Sequence, residues 1–262
     1  MSDPFTDNPD LVACAQIVEK GDPARFQAVM AAPVAARAVL FPIYAMNVEV
    51  SRAPWVTQEH MIAEMRLQWW RDALAEIAEG GLVRRHEVVT PLAMVLPRDM
   101  AKRMDDLVLA RRWDIYRDPF EGQAAFEDFI GNTSGLLMQA AAAALGDTDG
   151  RTAYALGWAS GLASFLTAVP ELEAAGRVPL VDGRPEAVRV LAQKGLEQLV
   201  EARKFRSAVP QAARPALLSA WMARPILKRA AGQPHLVAQG ALMPSEAAQR
   251  WRKLWVSQTW RW

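Results

Sequence analysis

Two carboxylates three or four residues apart on a helix share one face and can hold a divalent cation, so such pairs are the first chemistry to seek in this alanine- and leucine-rich chain. Asp114-Ile-Tyr-Arg-Asp118 has the spacing, but Pro119 follows at once and puts the segment between helices. Asp105-Asp106 has no third acid at i+3 or i+4 and sits among Lys102, Arg103, Arg111 and Arg112, the composition of a solvated, salt-bridged face. His60, His86 and His235 are scattered, and with one cysteine no zinc-site spacing can be written. Cys14 has no convergent histidine and reads as a small buried hydrophobe. Ser134 and Ser160 lack the flanking glycines of a nucleophile elbow, and the 15 glycines never spell GxGxxG or GxxxxGK[ST]. Zinc, nucleotide-loop and serine-hydrolase chemistry are therefore set aside.

The elements that would position any site are helical. Of the 262 residues 52% are hydrophobic and 23% charged, which excludes a disordered chain and supplies a core without a staple. Runs of alternating Val, Ile and Thr are missing. Asp22-Pro23 reads as an N-cap with proline in the first turn, opening a helix to about Ala32. Pro33 opens the next, with Leu40, Tyr44 and Val48 at four-residue spacing. Thr57 fits an N-cap, with Met61, Met65, Trp69 and Ala73 on one face and Gly80-Gly81 as the stop. Further helices are expected near 98–112, 121–145, 151–169, 186–208, 211–230 and 244–260, punctuated by Pro97, Pro119, Pro170, Pro185, Pro210 and Pro244. The stretches 129–146 and 152–170 approach bilayer-spanning length but are diluted by Asn, Gln, Thr and Ser, as buried helices of a bundle are. Gly157-xxx-Gly161 marks close helix approach. No repeat or linker interrupts residues 1–262, which are read as one all-α domain with its core over about 20–260.

Three segments carry a resemblance: Arg37-Ala-Val-Leu-Phe-Pro-Ile-Tyr44-Ala-Met-Asn47, Leu67-Gln-Trp-Trp-Arg71-Asp-Ala-Leu74, and 157–168 followed by Gly176-Arg177-Val178. In this order they resemble the squalene/phytoene synthase family, which implies a helical bundle of the isoprenoid synthase type. It also implies the head-to-head condensation of two prenyl diphosphates. That chemistry ionises an allylic diphosphate with Mg²⁺, held by aspartate pairs on two facing helices.

At those positions the sequence departs from the family. Counting from Tyr44, the family's arginine falls on Val48 and its acids on Ser51, Arg52 and Trp55. Counting back from Gly176-Arg177, its Arg-Asp pair falls on Thr167-Ala168 and a later aspartate on Leu172. Glu49 and Glu171 lie nearby but lack acidic partners at i+3 or i+4. The cleft scaffold the resemblance implies is Arg37, Tyr44, Glu49, Trp70, Arg71 and Arg177, a vestigial prenyl diphosphate site with no catalytic or metal-holding residue expected. Core packing for Tyr44 and Trp70, and an inter-helix ion pair for Arg71, are the competing readings. A branch of the family shows the same loss: the mitochondrial assembly factor for respiratory complex I. The segments Met65-Arg-Leu-Gln-Trp-Trp-Arg71, Asn132-Thr-Ser-Gly135 and Leu254-Trp-Val-Ser-Gln-Thr-Trp-Arg261 resemble it. The expectation is a non-catalytic assembly or accessory factor for a membrane complex, with a protein partner and no cofactor. The alternative is a working prenyltransferase, which would need Mg²⁺ on ligands such as Glu49 with Glu171 or Glu173. A third reading is a module that keeps the old cavity for a lipid or isoprenoid.

Charge adds a surface. Thirteen Lys and Arg stand against three Asp and Glu from Arg189 to Trp262, a net of +10 beside an overall charge of +1. Trp221, Trp251, Trp255, Trp260 and Trp262 fall in the same stretch. Contact with an anionic membrane or an acidic partner suits this mixture, whereas nucleic acid does not, since no binding motif accompanies the charge. Trp251 and Trp255 are expected to pack on the bundle, leaving Trp260, Arg261 and Trp262 as the surface contact. The acidic start lacks the marks of a secretory or mitochondrial leader, and arginine outnumbers lysine 24 to 6. A bacterial cytoplasmic protein, peripheral at the inner face of the membrane, is the expectation.

Overall fold

A computed structural model describes residues 4–57 and 59–259, and among them no strand occurs. The order is α1 (Pro9–Gly21), α2 (Pro23–Met30), α3 (Val34–Arg52), α4 (His60–Glu79), α5 (Val89–Val95), α6 (Arg98–Ala110) and α7 (Trp113–Tyr116). Then come α8 (Gln123–Ile130), α9 (Leu136–Ala144), α10 (Arg151–Ala174) and α11 (Pro185–Lys204). The chain ends in α12 (Arg214–Leu217), α13 (Ala223–Gly232), α14 (His235–Ala238) and α15 (Glu246–Thr259).

Local chemistry sets the boundaries. Asn8 Oδ1 accepts from the Leu11 amide, and Asp22 Oδ1 from the Arg25 amide, each ahead of a proline that enters the first turn. Gly80 ends α4 in the left-handed conformation, where a Cβ would strike the Arg98 guanidinium. Thr57 does not cap α4: its hydroxyl oxygen accepts from the Glu59 amide, and the helix opens at His60. Pro170 does not end α10 either; the helix continues to Ala174, with Leu166 and Val169 buried in the core in the turn before that proline. The expected helix over 211–230 is broken into short turns over 211–220 followed by α13, with Pro215 and Pro225 each in the first turn of a helix.

α10 is the central rod, against which α9, α11 and α13 pack. Among the described residues α3 alone is long and apolar enough to cross a membrane, and most of it is buried within the bundle. The 121–145 stretch is not one smooth helix. Gly131-Asn-Thr-Ser-Gly135 widens into a π turn, and Thr133 Oγ1 donates to the Phe129 carbonyl at 2.6 Å. Glycines let this turn meet α10 almost backbone to backbone. A Cβ on Gly157 would lie 2.6 Å from the Ser134 carbonyl oxygen, and one on Gly161 would overlap the Ser134 side chain. The wall around Ser134 thus has no slack.

The last helix also differs from expectation. Ser245 accepts from the Ala248 amide at its start, as the Pro244-Ser-Glu sequence suggests. Trp251 and Trp255, however, do not pack into the bundle. Trp251 is 75% exposed and Trp255 48%, because Val256 and Arg252 occupy the inward face. Trp260, Arg261 and Trp262 lie outside the described residues.

Candidate functional site

The two helices on which the resemblance places the family's metal motifs, α3 and α10, enclose with α2, the π turn and the α12–α13 connection a cavity of about 220 Å³. Tyr44, Asn47 and Ser51 come from α3, spaced three and four residues apart. Gly157, Ser160, Gly161 and Ser164 repeat that spacing on α10. Asp22, Arg25, Arg111, Ser134 and Ser219 complete the polar wall.

The side chains are strongly tied on one side and free on the other. Arg25 pairs with Asp22 and lies 5.1 Å from the Tyr44 ring centroid. Arg111 Nη1 meets the buried Asp114 at 3.3 Å. The Nε atoms of both arginines are buried and meet no acceptor. Asn47 is 6% exposed, and its Oδ1 meets no donor. Burial raises the Tyr44 phenol above its ordinary pKa, with Arg25 opposing, and its hydroxyl makes a long 3.5 Å bond to the Ala216 carbonyl. Ser51 and Ser219 donate to the carbonyls of Val48 and Ala216.

The six residues of the expected cleft do not converge. Tyr44 lines the cavity. Arg37 Nε donates to the Ala32 carbonyl at 2.8 Å and fixes the entry to α3. Glu49 and Trp70 share another pocket, with Ala53, Arg66, Trp69 and His86. Arg71 makes a two-pronged ion pair with Asp105 on α6, at 2.7 and 3.1 Å, which raises the guanidinium pKa further. Arg177 is buried, donates to the carbonyls of Trp113 and Asp114, and lies 4.4 Å from the Trp55 ring centroid and 5.3 Å from that of Trp113. Burial lowers its pKa. Trp55 and Leu172 leave the cavity open, since neither lines it.

Cys14 is fully buried, its Sγ donating to the Glu87 carbonyl, and burial pushes the thiol up to about 12. It is a packed hydrophobe, as its isolation in the sequence suggests. Sequence reasoning passed over Asp22, Arg25 and Arg111 as site residues. It weighed Ser160 only as a hydrolase nucleophile. The available signal was the pairing of Asn47 with Ser51 and of Ser160 with Ser164, small polar residues four apart on otherwise apolar helices.

With this geometry in place, the comparisons decide the lineage. The squalene/phytoene synthase family model matches residues 18–181. The chain belongs to the squalene/phytoene synthase family. Its fold matches a ligand-bound dehydrosqualene synthase with a TM-score of 0.76 at 17% identity, covering 98% of this chain and 97% of that one. It also matches the squalene synthase HpnC of Alicyclobacillus acidocaldarius, with a TM-score of 0.70 at 16% identity over 87% and 95%. In sequence the chain is similar to the Drosophila melanogaster homolog of NADH dehydrogenase (ubiquinone) complex I assembly factor 6, 29% identical over 166 residues. That match covers 60% of this chain and about half the length of the curated relative. The all-α isoprenoid synthase architecture read from the sequence is the observed one.

The Mg²⁺ of the family's chemistry does not fit this donor set. Among the described residues Asp22 is the one carboxylate in the cavity wall, and Arg25 holds it. Among the described residues no three of His, Cys, Asp or Glu converge anywhere. Arg52 is exposed, Thr167 Oγ1 donates to the Ala163 carbonyl, and neither Glu49 nor Glu171 reaches the cavity wall. Mg²⁺ takes hard oxygen ligands in octahedral order, and two guanidinium groups in the same wall repel it.

Proposed function

We propose that this family member has given up prenyl transfer and serves as an assembly or accessory factor for a membrane respiratory complex, with complex I as its client. The observation that carries this reading is the cavity wall itself. Ser51 stands where the family places an acid, and the helices that should present two aspartate motifs present serines and Asn47. Without paired carboxylates a diphosphate leaving group has no metal to neutralise it. The similarity to the insect assembly factor homolog supports the client. The partner surface in this reading is the outer face of α15, where Trp251, Leu254 and Trp255 are exposed on the same helix as Arg250 and Lys253. A cytoplasmic protein of a bacterium, peripheral at the inner membrane face, is the setting that suits a basic, Trp-bearing helix. Deleting the gene tests the reading: complex I content and NADH:quinone activity should fall several-fold and return on complementation. Normal complex I in the deletion strain removes it.

The full-length match to a dehydrosqualene synthase keeps one rival in view, a prenyltransferase with an unusual site. Incubation with farnesyl diphosphate and Mg²⁺ decides it. Diphosphate release that disappears in Glu49→Ala would establish the enzyme and overturn the accessory role.

A further inference from the structure

A larger pocket lies away from α3 and α10, bounded mainly by α7, residues 117–122 and α8, and encloses about 520 Å³. We propose that it is a docking site for the partner protein, in which one arginine side chain of a basic, apolar segment is seated against aromatic rings and held by carboxylates. The inference deepens the reading that this chain works through a protein partner, and does not depend on which complex is the client.

The rings supply the apolar surface. Trp113, Tyr116, Phe120 and Phe129 line the pocket, and Phe120 stacks on Trp113 with centroids 4.4 Å apart and planes at 7°. These rings already lie against guanidinium groups of the chain itself. Arg177 is 5.3 Å from the Trp113 centroid, Arg111 5.8 Å from that of Phe129, and Arg112 6.0 Å from that of Tyr116. Tyr116 is nevertheless 44% exposed, and Trp113 and Phe120 are half-buried, so ring surface remains for a ligand. The volume falls within the range of about 300–1,000 Å³ that encloses small ligands, ample for one arginine side chain.

Charge selects the occupant. Asp118, Glu121 and Asp128 stand in the same wall, and none of these side chains makes an ion pair or hydrogen bond among the described residues. Asp114, the other half of the DxxxD spacing, is buried and paired with Arg111 instead. Arg112 is the one cation in the described wall, and its Nε donates to Glu64 at 2.8 Å. Arg117 precedes Asp118 in the chain but does not line the pocket. Three uncompensated carboxylates beside aromatic surface therefore await a cation. A guanidinium matches both halves: its flat faces pack on rings while its five in-plane N–H groups donate to carboxylates. A lysine ammonium has no flat face and a quaternary ammonium has no donor, so each would leave part of the site unused. Anionic lipid and nucleic acid are repelled.

The surface beside the pocket suits the rest of such a segment. The His60 ring lies 5.5 Å from that of Tyr116, and Glu64 holds Arg112, which fixes the start of α4 against α7. Met61 and Met65 follow these two residues in the chain, share one face of α4, and are 72% and 66% exposed. Flexible methionine side chains adapt to apolar groups of different outline. The pocket is opposite in sign to the basic face of α15, so the two contacts are separate.

NMR titration of the intact chain tests this with acetyl-Leu-Arg-Leu-amide, its Leu-Lys-Leu counterpart and choline. Saturable shifts are expected for the arginine peptide, centred on the amides of residues 112–132 and 60–65. The lysine peptide should bind about 10-fold more weakly, and choline more weakly still. Asp118→Asn combined with Glu121→Gln should weaken the arginine peptide at least ~10-fold. Both side chains are exposed, so the circular dichroism spectrum should not change. No saturable binding, equal affinity for the lysine peptide, shifts centred elsewhere, or a double variant that binds like the parent overturns the proposal. Tighter binding of choline overturns it too, and identifies a quaternary ammonium headgroup as the occupant. Failure here beside a deletion strain that still loses complex I sinks the docking site alone. Arginine-selective binding beside a deletion strain with normal complex I keeps the docking site and removes the client.

Discussion

The cavity wall and the outer face of α15 use the same kinds of side chain in opposite surroundings. In the wall, Arg111 is held by a buried carboxylate and packed 5.8 Å from the Phe129 ring centroid. On α15, Arg250 reaches an equally exposed Glu246 at 3.4 Å, and Lys253 donates to Gln27. A pair in the interior is little screened, whereas an exposed i,i+4 pair contributes about 0.3–0.5 kcal/mol. The hydrophobic groups divide likewise: Leu137 and Met138 are buried behind the wall, and Trp251 stands in solvent. Stability therefore resides in the wall and its glycines, while α15 is free to change for a partner. Substitutions in the first region should move the thermal midpoint, and those in the second should move binding.

The largest effect belongs to Gly157→Val. Its Cβ would sit 2.6 Å from the Ser134 carbonyl oxygen and 2.8 Å from Met138 Cβ, and a backbone oxygen cannot swing aside. Overpacking of this kind costs about 3 kcal/mol. For a chain of this size that lowers the midpoint by roughly 6–12 °C. Gly183→Ala, with open space around its Cβ, serves as the control and should stay within about 0.5 kcal/mol. Equal midpoints for the two variants would break the comparison at its root.

How much of this was legible follows the physics of each feature. The helices were visible because caps, prolines and Gly80 act locally. Ser134 in a π turn was not, since that turn presses on Gly157 and Gly161 of α10, a tertiary contact that local sequence does not announce. The missing aspartates were readable by counting from Tyr44 and Gly176. What replaced them was not, because Asp22, Arg25 and Arg111 reach the cavity from elements distant in the chain. Arg71 and Arg177 look like cleft residues in a motif and become structural only when Asp105 and the Trp113 and Asp114 carbonyls are seen beside them. For Trp251, spacing gave the face but not its direction, which Val256 and Arg252 decide.

Arg177 sharpens the comparison from between the two regions, buried but outside the cavity. Arg177→Met keeps the stem and deletes the guanidinium, leaving the Asp114 carbonyl without its donor and the Trp113 carbonyl with the Arg117 amide alone. A loss of about 2 kcal/mol is expected, read by denaturant unfolding. Arg177→Lys should recover less than half, because an ammonium neither forks to two carbonyls nor stacks on Trp55 and Trp113. Full recovery by lysine would mean that charge alone matters there, and would return Arg177 to the ligand-binding candidates.

The smallest effect on the fold, and the most direct test of the outer face, comes from Trp251→Ala combined with Trp255→Ala. Both rings are largely in solvent, and Val256 and the Arg252 bond to the Trp221 carbonyl that anchor α15 remain. Stability should stay within about 0.5 kcal/mol of the parent, since little buried area is lost. Binding to vesicles containing anionic lipid should nevertheless fall several-fold, because two interfacial aromatic rings are gone. Arg250 and Lys253 each add about 1 kcal/mol near an anionic leaflet, so the parent's binding should weaken as salt shortens the Debye length from about 30 Å at 0.01 M to about 8 Å at 0.15 M. Arg250→Gln with Lys253→Gln should then remove most of the salt dependence while leaving the midpoint in place. If the parent binds no vesicles even at low ionic strength, or binds them independently of salt, the exposed tryptophans of α15 belong to a protein partner and the membrane drops out of the account.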